Sequence, residues 1–270
     1  MTLESALTTA DIAAVIDRVR AASPLVQCIT NTVVANFTAN GLLAAGAAPA
    51  MVDAPEEAGL LASVAGALLI NLGTVTTAQA AGMRAGIAGA IGAGVPWILD
   101  PVAIGALPLR TGLAHEFAAL GPAVIRGNAS EIGALSGGTG GRGVDSTATP
   151  DEVAEVAAQV AGDFATVVAM SGAVDLITDG TRTVRVASGN DQLTRVTGVG
   201  CFLGALMGAC AAVTPDRLLA AAAATAWVCV AGDRAAKQSE GIGMFAVAFL
   251  DALDELSGNE IAQGGAVSVS

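Results

Sequence analysis

The sequence predicts an α/β fold built on a largely parallel sheet. Short β-prone runs alternate with longer alanine-rich stretches from end to end, which is the pattern of strands joined by crossover helices. A hydrophobic share of 53% over 270 residues is enough to fill one substantial core. Alanine, the best helix former, supplies much of that share while contributing little area per residue, so helix should dominate. No fixed-period repeat or charged linker divides the chain, which reads as a single domain over 1–270.

In chain order, strands are expected at 25–29, 48–52, 67–71, 97–100, 123–126, 166–170, 176–178 and 183–186, with helices at 33–45, 76–93 and 150–161. From 201 to 256 the chain reads as three helices with breaks at Pro215 and near Gly241. The segment 136–149, rich in glycine, serine and threonine, has no hydrophobic period and reads as a surface loop, either a lid or a connector. The longest apolar stretch, 203–232, is broken by Thr214-Pro215-Asp216-Arg217 into two pieces, each shorter than the roughly 20 residues of a bilayer span. Both pieces read as buried helices, and no membrane association is expected.

Twelve basic residues, with Lys237 the only lysine, stand against 24 acidic ones, for a net charge of -12. Such a surface repels polyanions and argues against nucleic acid as a partner. An anionic small ligand remains possible, because backbone N–H groups at a helix N-terminus hold phosphate without net positive charge. Cys28, Cys201, Cys210 and Cys229 are widely spaced with no metal-type pairing. With no basic-then-apolar leader in the first ten residues, they point to a cytoplasmic setting. His115, the only histidine, reads as structural, and its isolation argues against Ser/His/Asp hydrolysis and multi-histidine zinc chemistry.

Sheets of this kind bind ligands beyond the carboxyl ends of their strands. Four such ends are polar and distinctive: Thr30-Asn31, Asp100-Pro101, Arg126-Gly127-Asn128 and Ser171-Gly172. Asp100 and Glu131 could hold Mg²⁺ directly or through water; the structural alternatives are a turn aspartate and a capping box joining Asn128 to Glu131. Arg126 could set its guanidinium on phosphate oxygens or in a surface ion pair. Asn31 could orient a heterocycle or cap the following helix.

The strongest local signal is Val196-Thr197-Gly198-Val199-Gly200-Cys201-Phe202-Leu203, two glycines leading into an apolar helix. The first N–H groups of that helix lack intrahelical partners and, with the helix dipole, can receive developing negative charge. From spacing alone, an ordinary glycine turn explains the pattern equally well. It is neither a Walker phosphate loop nor a dinucleotide fingerprint.

Placed late in the chain, the turn resembles the anion hole of ribokinase-like kinases, where a Gly-x-Gly-acid sequence opens a C-terminal helix. Cys201 at the acid position resembles the hydroxyethylthiazole kinase family. Cys28-Ile29-Thr30-Asn31, Asn36-Phe37-Thr38-Ala39-Asn40-Gly41, Gly46-Ala47-Ala48-Pro49-Ala50-Met51, Leu99-Asp100-Pro101-Val102, Ile125-Arg126-Gly127-Asn128-Ala129-Ser130-Glu131, Gly143-Val144-Asp145-Ser146 and Ser171-Gly172-Ala173-Val174-Asp175 follow in family order, so that the resemblance spans 24–213.

The resemblance implies a ribokinase-like three-layer fold and ATP-dependent phosphorylation of the hydroxyl of 4-methyl-5-(2-hydroxyethyl)thiazole in thiamine biosynthesis or salvage. It implies Mg²⁺ with ATP as co-substrate, and a homotrimer with sites between subunits. It assigns Arg126 and Ser171 to ATP, Met51, Gly198 and Asn31 to the thiazole, Asp100 and Glu131 to the metal, and Cys201 with Gly198, Val199 and Gly200 to catalysis. Ser171 could instead bond its own turn, and Met51 could be plain core. A helix N-terminus should lower the pKa of Cys201, which would then act as a weak base or position the hydroxyl.

Ala103-Ile104-Gly105-Ala106 stands where the family usually has Gly-Ala-Gly-Ala, a departure that could narrow the phosphate region; Val199 replaces a usual Thr or Ser. Other small-alcohol or vitamin kinases, a nucleotide-hydrate dehydratase and a nucleotide-binding sensor without turnover are the alternatives on the same fold.

Overall fold

The computed structural model describes residues 7–137 and 150–270. Residues 138–149 of the expected loop, and with them Gly143-Val144-Asp145-Ser146, lie outside the described residues.

Helices and strands alternate as α1 (Thr9–Ala22), β1 (Leu25–Ile29), α2 (Ala35–Ala44), β2 (Ala48–Ala50), α3 (Pro55–Ala62), β3 (Ala67–Asn71), α4 (Thr77–Ala93), β4 (Trp97–Asp100), α5 (Pro108–Ala118), β5 (Val124–Asn128), α6 (Ala129–Leu135), α7 (Pro150–Phe164) and β6 (Val167–Ser171). Then come β7 (Asp175–Thr178), β8 (Thr183–Val186), a 3₁₀ turn (Asp191–Arg195), α8 (Val199–Ala211), α9 (Arg217–Gln238), α10 (Ile242–Glu255), α11 (Gly258–Gly264) and β9 (Val267–Val269).

The strands form one sheet in the order β2-β1-β3-β4-β5-β6-β7-β8-β9. Pairings from β2 through β6 are parallel, and those from β6 through β9 are antiparallel. The eight expected strands are all present, four of them (β1, β3, β4 and β8) with the expected bounds.

Five helices and β9 escaped the periodicity. α5 begins on Pro108, which reads as a breaker but is well placed in a first helical turn because its missing N–H would be unpaired there anyway. α1 is announced by a capping box between Thr8 and Asp11. β9 is a three-residue edge strand held by its pairing with β8.

Two apolar layers sandwich the sheet, because alternate strand residues face opposite sides. Val26, Cys28, Leu69, Ile98 and Val124 pack with α1, α2 and α8 to α11 on one face. Ile29, Leu68, Ile70, Leu99 and Ile125 pack with α3 to α7 on the other. α9 runs 22 residues, longer than the sequence suggested. It is long and apolar enough to cross a membrane, but most of it is buried inside the protein.

α8 runs over the middle of the sheet against the strand direction. A β-carbon added at Gly204 would lie 3.8 Å from Asp100 Cβ at the end of β4, while one at Gly208 would meet Ala67 Cβ, at the start of β3, at 3.4 Å. The N-terminus of α8 therefore opens at the carboxyl ends of β3 and β4, where the polar strand ends converge.

Candidate active site

Gly198 precedes α8 with φ 98°, a left-handed conformation, and gives the helix no side-chain cap. The first helical bond runs from the Phe202 N–H to the Gly198 carbonyl at 2.8 Å. The N–H groups of Val199, Gly200 and Cys201 thus have no helical partner and point out of the helix end. Arg126, on β5, lies against this end: a β-carbon on Gly200 would come 2.6 Å from its Nη1. The guanidinium is mostly buried, not on the surface. Its Nη2 donates to Ser171 Oγ at 2.9 Å, and its Nη1 is 3.9 Å from Asp100 Oδ2. Ser171 therefore serves Arg126 rather than its own turn.

Asp100 is fully buried at the end of β4. Its Oδ2 accepts from Asn71 Nδ2 at 2.7 Å, and its Oδ1 has no partner. Burial, helped by the Glu131 carboxylate and opposed by Arg126 and Asn71, pushes its pKa up to about 7. Glu131 completes the anticipated capping box: Asn128 Oδ1 accepts from the Glu131 N–H at 2.9 Å, and Glu131 Oε2 accepts from the Asn128 N–H at 2.9 Å. Its Oε1 accepts from the Ala103 N–H at 2.8 Å.

Both Glu131 oxygens are therefore engaged by backbone, whereas Asp100 Oδ1 remains free to bind a cation. No cluster of three or more His, Cys, Asp or Glu side chains suited to a metal occurs among the described residues. The free Asp100 Oδ1 fits a Mg²⁺ ion that would keep water and phosphate oxygens in its shell.

Cys201 lies in the first turn of α8, and its Sγ accepts from Asn31 Nδ2 at 3.4 Å. The anticipated lowering of its pKa is overturned. Burial and the Asp100 charge push the thiol up to about 11, against the hydrogen bonds from Asn71 and Asn31 and the charge of Arg126. Asn31 does not cap α2, whose N-cap is Val34 with no side-chain bond; its amide instead donates to Asn71 Oδ1 at 2.9 Å.

The structure thus gathers Asn31, Asp100, Arg126, Glu131, Ser171 and the Gly198–Cys201 turn. Met51 stands apart just beyond the edge strand β2, 38% exposed and without a hydrogen bond to this group. Ile104 does not narrow the phosphate region. Ala103 takes φ 58° and turns the chain so that the Ile104 side chain enters the core on the α5 and α6 side.

Beside the turn lies a cavity of about 500 Å³, lined by Arg126, Ser171, Asp175, Gly189, Val199 and Cys229 among others. Asp175 and Cys229 had no role in the sequence reading. Cys229 Sγ donates to Asp175 Oδ2 at 3.2 Å, and Asp175 Oδ1 accepts from the Gly172 N–H at 3.0 Å. Asn71 was also missed. A polar residue closing the apolar run of β3 was the available signal, of the same kind that singled out the other strand ends.

A parallel sheet between two helical layers, with a helix N-terminus, an arginine and an unpartnered buried aspartate meeting at its carboxyl edge beside a nucleotide-sized cavity, defines a ribokinase-like kinase of a small alcohol. The pyridoxal kinase of Staphylococcus aureus in complex with ADP shares this fold, with a TM-score of 0.60 at 14% identity over 78% of this chain and 88% of that one.

Within that class the chain belongs to the hydroxyethylthiazole kinase family, whose model matches residues 16–259. It is 54% identical to the hydroxyethylthiazole kinase of Clavibacter sepedonicus over 252 residues, covering 93% of this chain and 92% of that protein. It is also similar to the structure of the hydroxyethylthiazole kinase protein of Pyrococcus horikoshii, with a TM-score of 0.90, 38% identity and coverage of 96% and 98%.

Proposed function

We propose that this chain, acting as one catalytic domain, transfers the γ-phosphoryl group of MgATP to the primary alcohol of 4-methyl-5-(2-hydroxyethyl)thiazole, in salvage for thiamine synthesis. The observation that carries the reading is the meeting of the three free N–H groups of α8 with Arg126 and Asp100 at one strand-end edge. Such donors face the equatorial oxygens of a phosphoryl group in flight, where each is worth about 10²–10³-fold in comparable oxyanion sites.

In this reading Arg126, held by Ser171, grips the nucleotide phosphates, with the nucleoside in the adjoining cavity of about 500 Å³. Asp100 and Glu131 would hold Mg²⁺, which would supply neutralisation of the phosphate charge when bound. A thiol at about 11 is ionised in only about one molecule in a thousand at pH 8, so Cys201 positions the substrate hydroxyl instead of serving as its main base. Asn31, bonded to Cys201 Sγ, and the Gly198 backbone orient the thiazole.

Met51, just beyond the edge strand β2, contacts the heterocycle in a homotrimer whose sites lie between subunits. The exposed Val33 and Leu43 on or beside α2, and Leu60 and Val64 on or beside α3, support apolar contacts between subunits. Four free cysteines fit a reducing, cytoplasmic setting. Incubation of the protein with MgATP and a panel of hydroxyalkyl heterocycles, read by mass spectrometry, tests the reading: a phosphate increment is expected on the thiazole alcohol, and its absence there overturns the assignment. Light scattering checks the trimer.

A further inference from the structure

Asn71 has no part in the reaction as described, yet it is fully buried and its bonds run between the two ends of the site. Its Cα pairs in register with that of Asp100 across β3 and β4. The Gly73 N–H, which can only donate, lies 3.0 Å from one amide atom of Asn71, so that atom must be the oxygen. The Asn71 nitrogen must then face Asp100 Oδ2, at 2.7 Å.

Because Asn71 Oδ1 is an acceptor, the Asn31 atom 2.9 Å from it must be the amide nitrogen, whose other hydrogen lies toward Cys201 Sγ at 3.4 Å. One backbone N–H therefore fixes the direction of every bond from Cys201 through Asn31 and Asn71 to Asp100. Sγ receives a hydrogen from Asn31, leaving its own proton to point elsewhere. Gly73 itself is needed for this contact, since a β-carbon there would come 2.6 Å from Asn31 Nδ2.

We propose that Asn71 is a positioning residue for phosphoryl transfer, tying the carboxylate at the phosphoryl-donor end to the thiol at the acceptor end through an amide that can face only one way. The proposal rests on the kinase reading of the site. Among the described residues, the charged and titratable groups facing the network are Asp100 on β4, Arg126 on β5, Glu131 on α6 and Cys201 on α8.

Two variants test it. Asn71→Asp keeps the size of the side chain and the oxygen facing Gly73 and Asn31, but it can donate to Asp100 only while its own carboxyl is protonated. At about pH 8.5 its kcat is expected to fall about 100-fold with the KM of the thiazole alcohol little changed, and the deficit relative to wild type should shrink at least about tenfold toward pH 6.

Asn71→Leu removes the donor altogether. Iodoacetamide alkylation of Cys201 in nucleotide-free protein, followed by peptide mass, should slow at least about threefold because the thiolate loses oriented donors. A purely structural role for Asn71 would instead loosen the core and speed alkylation. An activity deficit in Asn71→Asp that is absent or constant with pH overturns the proposal, as does unchanged or faster alkylation in Asn71→Leu. If Asn71→Asp does not fold, the alkylation rate decides. Wild-type protein that makes no phosphorylated thiazole alcohol overturns the kinase reading instead, and the alkylation rates still judge Asn71.

Discussion

The two ends of the same parallel strands are built in opposite ways. At the amino ends of β4, β5 and β6 lies the larger cavity, about 830 Å³, bordered by Trp97, Ala123, Thr166, Arg182 and Asp216. Its polar groups are matched. Arg182 reaches Asp179 at 2.8 Å and Asp216 at 2.9 Å, and Thr166 Oγ1 donates to the Pro122 carbonyl at 2.7 Å. Asp216 in turn caps α9 by accepting from the Leu218 N–H at 3.0 Å.

The carboxyl ends hold a smaller cavity of about 500 Å³. There Asp100 Oδ1, Arg126 Nε and Thr30 Oγ1 are buried without partners, and a helix N-terminus lies open beside them. Each orphan costs on the order of 1–3 kcal/mol, which a ligand can restore. Incomplete bonding, more than volume, sets this end of the sheet apart from the matched one.

The comparison can be broken most easily at Gly198. Gly198→Ala forces a side chain onto φ 98° and places its β-carbon 3.0 Å from Val34 and 3.1 Å from Phe37. It should lower kcat/KM about 10²–10³-fold as the N–H donors shift, and destabilise by on the order of 1–3 kcal/mol, read by steady-state kinetics and urea unfolding. Normal turnover in a folded variant would remove this turn from the site.

Gly200→Ala separates activity from stability. Its β-carbon would sit 2.6 Å from Arg126 Nη1, while alanine inside a helix gains up to about 1 kcal/mol over glycine. The KM for ATP should rise about tenfold with little change in unfolding midpoint.

Cys201→Ser should keep turnover within about threefold, because a thiol held near 11 contributes little as a base. A large loss there, with Cys201→Asp raising turnover, would restore the base role. At the other end, Arg182→Ala should cost less than about 1 kcal/mol and leave kcat/KM unchanged, since partly exposed ion pairs contribute little.

The strands and the Gly198–Cys201 turn were legible because apolar runs and glycines are local signals. Asp100 and Arg126 were legible because strand topology makes carboxyl ends important. Asn71 was not, since its meaning depends on pairing with a residue 29 positions away, and a polar residue ending an apolar run otherwise looks like a strand boundary. The Asp175 and Cys229 contact spans 54 positions for the same reason. Ile104 misled because its direction is set by the left-handed backbone at Ala103, which non-glycine residues seldom adopt. The pKa of Cys201 misled because burial and the Asp100 charge raise it.

Asp100 gives the most direct test. Its pKa is raised from 3.8 to about 7, chiefly by burial. The folded state therefore holds this proton more tightly than the unfolded state, so the contribution to stability is full below about pH 4 and is lost as pH rises through about 7. Asp100→Asn removes that loss together with the carboxylate proposed to bind the cation.

The decisive measurement takes wild type and Asp100→Asn at pH 8, free of metal and nucleotide, for thermal unfolding, and then assays the same samples for phosphorylated thiazole alcohol after adding MgATP. The expected result is a variant that melts higher, by on the order of 2–4 °C for each kcal/mol recovered, and forms no product. A variant that melts lower and still forms product at the wild-type rate would contradict the assignment of this strand-end cluster as the phosphoryl-transfer centre.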